Sequence, residues 1–379
     1  MIPPQLVVDR FAELGVTCYA GVPDSLLKAF GQHVQATLPR ERHVITANEG
    51  GAVGLAVGHY LRTGDPAVVY LQNSGFGNTI NPLLSLADPD VYGVPMVLLI
   101  GWRGQPGVAD EPQHKKQGRV MTAMLDAMEI GWRVLPADPD GALEAVTSAV
   151  NEAVTTAGPS ALLVEKGTFA AAEVDLTPAG AQVAARPSRE EALIAAVDAV
   201  GEHRIIVSTT GMLSRELFEH RTANGHPGSL DFLTVGGMGH ASSIALGIAQ
   251  AETDREVWCF DGDGALLMHL GTLAVLADHA PDNFLHLVFN NGVHDSVGGQ
   301  PTSIGVVDVA EAARAVGYRT ARSTDRLADL PEEIAALRAA GGPSLLEVQV
   351  RPGNRDGIGR PTRTPVESKR AFMRACDRP

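Results

Sequence analysis

Two short runs in the second half of the chain have the residue types to hold a metal ion against a phosphate. The first is Asp261-Gly262-Asp263-Gly264, directly after the apolar run 257–260. The second is Asn290-Asn291-Gly292, directly after the apolar run 284–289. Aspartate and asparagine are hard oxygen donors; with a backbone carbonyl they suit Mg²⁺ or Ca²⁺ and leave positions for phosphate oxygens. The glycines let a bulky anion approach the backbone. A carboxylate inside a phosphate-cradling loop would repel a bare diphosphate, so the pattern makes sense when a divalent cation bridges the two. The plainer alternative is two tight turns after core strands. The second run arrives one strand–helix–strand unit after the first, which favours a ligand site.

For these side chains to meet, the strands at 257–260 and 284–289 must be parallel neighbours. Their carboxyl ends are then where open α/β sheets bind ligands. The surrounding pattern supplies such a sheet. In the first half, 16–20, 43–46, 67–71, 95–100 and 161–165 read as strands. Leu26, Leu27, Phe30 and Val34 recur at helical spacing, and Asn48-Glu49 opens a small-residue helix running to 61. A polar loop is expected to about 118, followed by helices. The second half repeats the scheme, with a helix at 189–201 and strands at 204–208, 232–235 and 345–350 around the two opening strands. Alternating β and α elements predict an α/β protein of two doubly wound parallel-sheet domains. Residues 171–188 are rich in Ala, Pro, Thr and Gly without a period and read as a linker. The expected division is 1–170, a linker, 189–353, and a polar, basic tail 354–379 with a short helix at 366–375.

Composition narrows the functions. A chain of 379 residues with 45% hydrophobic and 20% charged content is globular and long enough for two cores. A net charge of −14 argues against general nucleic-acid binding; it does not exclude a small anionic substrate at a locally basic site. Cys18, Cys259 and Cys376 are odd in number and far apart, as expected in a reducing compartment. No signal-peptide pattern or membrane-spanning apolar run is present, so a cytoplasmic protein without membrane association is expected.

The halves also resemble each other. Asn73-Ser74-Gly75-Phe76-Gly77 answers Asp261-Gly262-Asp263-Gly264 at an offset of 261 − 73 = 188. Residues 47–58 answer 235–247, and Gly158-Pro159-Ser160 answers Gly342-Pro343-Ser344 at 342 − 158 = 184. A period this long means duplicated domains, of which only the second carries the metal residues.

Two such halves, with GDG…NN in the second and an isolated Glu49 on a Gly/Ala-rich helix in the first, resemble the pyrimidine-binding and diphosphate-binding domains of thiamine-diphosphate decarboxylases, without the middle domain of larger relatives. More specific runs are Gly21-Val22-Pro23-Asp24-Ser25-Leu26-Leu27, Gly101-Trp102-Arg103-Gly104 through Asp110-Glu111-Pro112-Gln113-His114, Gly236-Gly237-Met238-Gly239-His240-Ala241-Ser242, and Gly359-Arg360-Pro361-Thr362-Arg363-Thr364-Pro365. These resemble the phosphonopyruvate decarboxylase family, which releases CO₂ from 3-phosphonopyruvate in phosphonate natural-product (antibiotic) biosynthesis. The sulfopyruvate decarboxylases rank second. A two-domain nucleotide-binding oxidoreductase is the rival from another class, but Gly237-x-Gly239 is followed by Ser242 where a dinucleotide fingerprint has its third glycine. A non-catalytic subunit of the same fold fits poorly, since Glu49, Asp263 and Asn291 are all present.

The resemblance implies roles. Thiamine diphosphate and Mg²⁺ are the expected cofactors, with Asp263, the Asn291 side chain and the Val293 carbonyl on the metal, and Gly264 and Ala265 beside the diphosphate. Glu49 is expected to hydrogen-bond N1′ of the aminopyrimidine; a helix-start glutamate favoured by the macrodipole is the alternative. Met238, with Gly237, is expected to prop the cofactor, or to fill core. Thr209 and Thr210 are expected to hold phosphate, or to cap a helix. Asn73 is assigned to the same cavity. Asp24, Ser25, Arg103 and His114 are the candidates for substrate, with Lys115, Lys116 and Lys166 as further cations for the phosphonate. Asp295 is expected to relay a proton or to cap the next helix. A homo-oligomer, at least a dimer with active sites shared between subunits, acting on a small anionic 2-oxoacid, completes the expectation.

Overall fold

The computed structural model describes residues 1–172, 181–226 and 228–377. It divides into two units, Met1–Thr177 with Val297–Gln300, and Pro178–Ser296 with Pro301–Pro379. Each is built on one six-stranded sheet in which every paired neighbour is parallel.

In the first unit the strands are β1 (Cys18–Gly21), β2 (His43–Ile45), β3 (Ala67–Gln72), β4 (Met96–Gly101), β5 (Gly131–Val134) and β6 (Pro159–Val164). Their spatial order is β2-β1-β3-β4-β6-β5. The second unit has β7 (Ile205–Ser208), β8 (Asp231–Leu233), β9 (Val257–Gly262), β10 (Phe284–Asn290), β11 (Thr320–Thr324) and β12 (Ser344–Gln349). Their order is β11-β12-β10-β9-β7-β8. Read from its other end, the second order is the first one repeated, strand for strand. This supports the duplication seen in the sequence.

The strand register corrects the offset of that repeat. Ala67 opens β3 opposite Met96, and Val257 opens β9 opposite Phe284, so the strands correspond at 257 − 67 = 190. Asn73, not Ser74 or Gly75, therefore answers the metal-site Asp263. Each is the first residue beyond its strand.

Both faces of each sheet are covered, which is why the central strands are continuous apolar runs. Along β3, Val68 and Tyr70 enter one apolar cluster while Ala67, Val69 and Leu71 enter the other. Along β9, Val257 and Cys259 face one cluster while Trp258 and Phe260 face the other. In each unit the chain reverses direction across the sheet between β1 and β3, or between β7 and β9. Those switch points open a crevice at the strands' carboxyl ends.

Two strands were not legible in the sequence, β5 and β11. Both lie at a sheet edge. Edge strands need only partial burial: Arg133 of β5 pairs with Glu152, and β11 reads Thr-Ala-Arg-Ser-Thr. The helix Pro112–Ala127 likewise begins inside the stretch expected to be loop, because its exposed face is polar enough to mask the period. Of the expected linker, 173–180 lie outside the described residues, and Ala181–Ala184 form a short helix. The tail helix Pro365–Cys376 packs Phe372 into the second unit's core, edge-on to Phe232. Among the described residues no helix is long and apolar enough to cross a membrane.

Candidate active site

The second unit gathers the metal-type residues at the ends of β7, β9 and β10. Asp263 follows β9 and opens the helix Asp263–Met268. It is buried, and its carboxylate takes the Thr302 hydroxyl at 2.6 Å and the amides of Gly264 and Asn291. Burial outweighs these bonds and pushes its pKa up to about 6. A divalent cation on that carboxylate would favour its ionised form.

Asn291 lies beyond β10 with its amide oriented at both ends. Its Oδ1 accepts the Val293 amide at 3.1 Å, and its Nδ2 donates to Asp295 Oδ2 at 2.6 Å. An ionised carboxylate only accepts, so Asp295 fixes which end of the amide is oxygen. Asp295 is itself held by Arg189 Nη1 at 3.0 Å and by the Gly353 amide at 3.1 Å. Arg189 grips Glu216 through Nε and Nη2 at 2.9 and 2.8 Å. In this network the Asp295 carboxylate is shared by Asn291, Arg189 and the Gly353 amide. Only a single 3-10 turn, Asp295–Val297, follows it.

Two loops enclose these residues. Gly237 and Gly239 have φ of 68° and 84°, and a Cβ on Gly239 would lie 2.6 Å from the His269 ring. This backbone turns Met238 towards the strand ends: its Cε, like Cε1 of His294, would stand 3.2 Å from a Cβ on Gly264. Side chains thus approach the bare backbone of Gly264 from two sides. Burial holds His294 neutral, with its pKa lowered to about 4. Ala265 is buried behind Gly264. Beyond β7, the Thr209 amide donates to Phe260 O while its buried Oγ1 finds no partner among the described residues. Thr210 is only half-buried. The orphaned hydroxyl makes Thr209 the stronger phosphate residue of the pair.

The first unit gathers the carboxylic acid and the substrate candidates. Asn48, not Glu49, caps the helix Glu49–Thr63, accepting the Gly51 amide at 3.0 Å. Glu49 turns inward to 5% exposure, where Asn78 Nδ2 donates to its Oε2 at 2.7 Å. Its Oε1 occupies the space a Cβ on Gly75 would need, so a glycine there lets the Glu49 carboxyl hold this position. Burial raises the Glu49 pKa.

Asp24 is 1% exposed, and its carboxylate is consumed by the Leu26 and Leu27 amides and the Gln72 side chain. It shapes the turn after β1 and is closed to substrate, contrary to expectation. Asn73 is likewise engaged: its Nδ2 donates to Arg103 O at 2.8 Å and its Oδ1 accepts the Arg103 amide at 3.1 Å. Asp263 takes the Asn291 amide in the corresponding way. Asn73 is thus the neutral counterpart of Asp263, a clasp between strand ends with no metal-type charge.

Arg103 Nε and Nη2 bind Asp110, which also accepts the Gly104 and Glu111 amides. Burial acts to raise the Asp110 pKa, but the Arg103 guanidinium and the Gly104 amide hold it below its usual value. Only Arg103 Nη1 turns elsewhere, donating to Ser25 Oγ at 2.8 Å. His114, in the first turn of Pro112–Ala127, is buried with Nδ1 unpartnered among the described residues. Burial, then the Arg103 charge, lowers its pKa. Ser25, Arg103 and His114 therefore belong to one cluster, while Lys115, Lys116 and Lys166 are exposed. Asn78, Arg189, Glu216 and Thr302 were not singled out by sequence, and Gly75 and Asp110 appeared there only as members of longer runs. Arg189 was hidden in an ordinary helix start, the capping box of Ser188 and Glu191. Thr302 gives no local signal, because it reaches Asp263 from 39 residues away.

Comparison with known proteins gives a concordant picture. The family model described as thiamine pyrophosphate enzyme, N-terminal TPP binding domain, matches residues 4–130, and its C-terminal TPP binding domain counterpart matches 209–348. A phosphonopyruvate decarboxylase of Streptomyces viridochromogenes is 39% identical over 98% of this chain and 94% of its own. One from Streptomyces hygroscopicus is 38% identical over 100% and 95%. A sulfopyruvate decarboxylase of Methanosarcina acetivorans is 25% identical over 99% and 98%.

Proposed function

The chain belongs to the phosphonopyruvate decarboxylase family of thiamine-diphosphate-dependent enzymes, and from that premise we propose that it converts 3-phosphonopyruvate to phosphonoacetaldehyde and CO₂. The observation that carries the reading is the buried Asp263 carboxylate beside the oriented amide of Asn291, an oxygen-rich pair at two adjacent strand ends.

The residues fit the cofactor and its metal. Asp263, Asn291 Oδ1 and the Val293 carbonyl are hard donors suited to Mg²⁺. The orphaned Thr209 hydroxyl, with Thr210 beside it, fits a diphosphate oxygen. Gly264 leaves backbone open to an anion, and Met238 gives an apolar surface above it. Bound there, thiamine diphosphate supplies the carbanion chemistry that amino-acid side chains lack. Glu49 would hold a proton at the pyrimidine N1′ atom of the bound group, a role that its burial and raised pKa suit. Asn78 keeps the carboxyl in one orientation. Arg103 Nη1, Ser25 Oγ and His114 Nδ1 bind the anionic substrate, while Asp110 holds the guanidinium still. The enzyme acts as a homo-oligomer, at least a dimer, in which the Glu49 half of one subunit and the metal half of another complete one site. It works in the cytoplasm, in phosphonate biosynthesis.

The test is a side-by-side measurement of kcat/KM for phosphonopyruvate, sulfopyruvate and pyruvate with thiamine diphosphate and Mg²⁺. Phosphonopyruvate should lead pyruvate by at least about 100-fold, as expected when a site built for a charged group meets a substrate lacking it, and should lead sulfopyruvate, whose sulfonate carries less charge, by a smaller factor. A lead for sulfopyruvate overturns the substrate assignment and leaves the cofactor assignment standing. Mixing Glu49→Ala with Asp263→Ala protein should restore part of the activity through hybrid sites. No recovery, with subunit exchange verified, refutes the shared site.

A further inference from the structure

We propose that Cys259, Asp261 and His286 form a second metal site, of the class that takes zinc, buried within the sheet of the second unit. None of the three has a part in the proposed reaction. Cys259 and Asp261 stand two apart on β9 and so share a face. His286 on β10 lies directly opposite Cys259 in the register. Their ligand atoms all lie within 4.8 Å of one another. His286 Nε2 stands 3.7 Å from Asp261 Oδ2. That is too long for a hydrogen bond, but close to the edge, about 3.4 Å, of a tetrahedron built from zinc–ligand bonds.

Without a metal the group is poorly satisfied. His286 is 0% exposed, and its Nε2 has no partner among the described residues. Its Nδ1 faces the Tyr318 hydroxyl at 3.4 Å. An imidazole oriented through one nitrogen with the other aimed at a cluster of donors is the arrangement found around metal-bound histidines. The buried Asp261 carboxylate accepts only the Gly262 amide, at 2.9 Å, among the described residues. A divalent cation with one thiolate, one carboxylate and a neutral imidazole has no net charge, which removes the cost of burying that carboxylate.

The donor set distinguishes this site from the one at Asp263 and Asn291. Thiolate and imidazole favour zinc-class ions, whereas Mg²⁺ takes oxygen ligands. On uptake the S–H bond of Cys259 breaks, sulfur bonds to the metal and the proton passes to solvent. Because the group is enclosed, the ion enters as the domain folds. It would then tie β9 to β10 just below the strand ends that carry Asp263 and Asn291.

The test uses the full chain, expressed in minimal medium supplemented with zinc or with cobalt, then dialysed against EDTA. About one zinc per chain should remain by elemental analysis, because the three ligands are all buried and an ion among them is enclosed by the folded sheet. Cobalt-grown protein should show the near-ultraviolet thiolate-to-cobalt charge-transfer band. Cys259→Ser and His286→Gln should each lower retained zinc at least about tenfold and remove the band. Wild-type protein without retained zinc, cobalt bound without the thiolate band, or full zinc retention in Cys259→Ser would each overturn the proposal. Should the variants fail to fold, the wild-type zinc content and cobalt spectrum decide it alone. A failed Mg²⁺–thiamine diphosphate assignment would leave this outcome unchanged.

Discussion

Replacing Asp295 with alanine separates two roles for a residue beside the metal loop. In the structure its Oδ2 takes Nδ2 of Asn291 at 2.6 Å, and its other contacts are Arg189 and the Gly353 amide. Removing the carboxylate takes away a charge-assisted hydrogen bond of about 1.5–3 kcal/mol. That bond and the Val293 amide on Oδ1 together discriminate the two ends of the Asn291 amide. Once the carboxylate is gone, only the Val293 bond opposes the rotation of about 180° about the terminal torsion that exchanges oxygen for NH₂ at the metal face. The bond from the Val293 amide to Oδ1 remains and limits the loss. Mg²⁺ affinity should therefore fall about 10–100-fold, the usual consequence of removing an orienting partner. Arg189 keeps its two bonds to Glu216, so the fold should survive. The assay is a Mg²⁺ titration at fixed thiamine diphosphate, followed by near-ultraviolet circular dichroism, with turnover measured separately at saturating Mg²⁺. Saturated kcat should stay within about threefold of wild type, since only ground-state metal binding is weakened. Asp295→Asn, which keeps an acceptor of the same shape, should recover part of the affinity. The opposite pattern, unchanged Mg²⁺ affinity with kcat reduced 100-fold or more at saturation, would falsify the orienting role and return Asp295 to proton transfer.

Glu49→Gln should lower kcat by about 10²–10⁴, the range for loss of a positioned acid–base group, while Mg²⁺–thiamine diphosphate still binds; a loss confined to binding would contradict its role. Gly75→Ala should displace the Glu49 carboxyl, whose Oε1 fills the space of the new methyl, and cut kcat at least about tenfold in a protein with unchanged circular dichroism; an unaffected kcat would show that the close approach is not required. His43 is buried beside the Tyr70 hydroxyl, 2.8 Å from its Nε2, and burial lowers its pKa from 6.5 to about 4. Because the folded state disfavours its charge, the associated stability is present above pH 6.5 and lost as pH falls towards 4. The full loss is about 3 kcal/mol by linkage. Urea unfolding of His43→Gln should therefore show a shallower decline from pH 7 to 4.5 than wild type, and parallel curves would refute the assignment.

The sequence alone determined the parts of this protein that depend on local pattern. Apolar runs of strand length mark strands buried on both faces, and Asp263 and Asn291 announce themselves by following two such runs. A parallel sheet then has to place both residues at carboxyl ends, so the site's location followed from chain order. The tertiary structure decided what depends on partners distant in sequence. Glu49 could have been a plain helix-start glutamate, but its carboxyl turns inward against Gly75 and the cap bond falls to Asn48. Asp24 and Asn73 look like ligands in a turn, yet their polar atoms are spent on Leu26, Gln72 and the Arg103 backbone. Arg103 reads as a free cation, but Asp110 holds its fork. Asp295 gains a partner in Arg189, 106 residues earlier. The edge strands β5 and β11 escaped notice because half-burial tolerates Arg and Thr. Residue types and spacing specify which groups are available for chemistry; desolvation and the pairing of every buried polar atom decide which of them remain free to perform it.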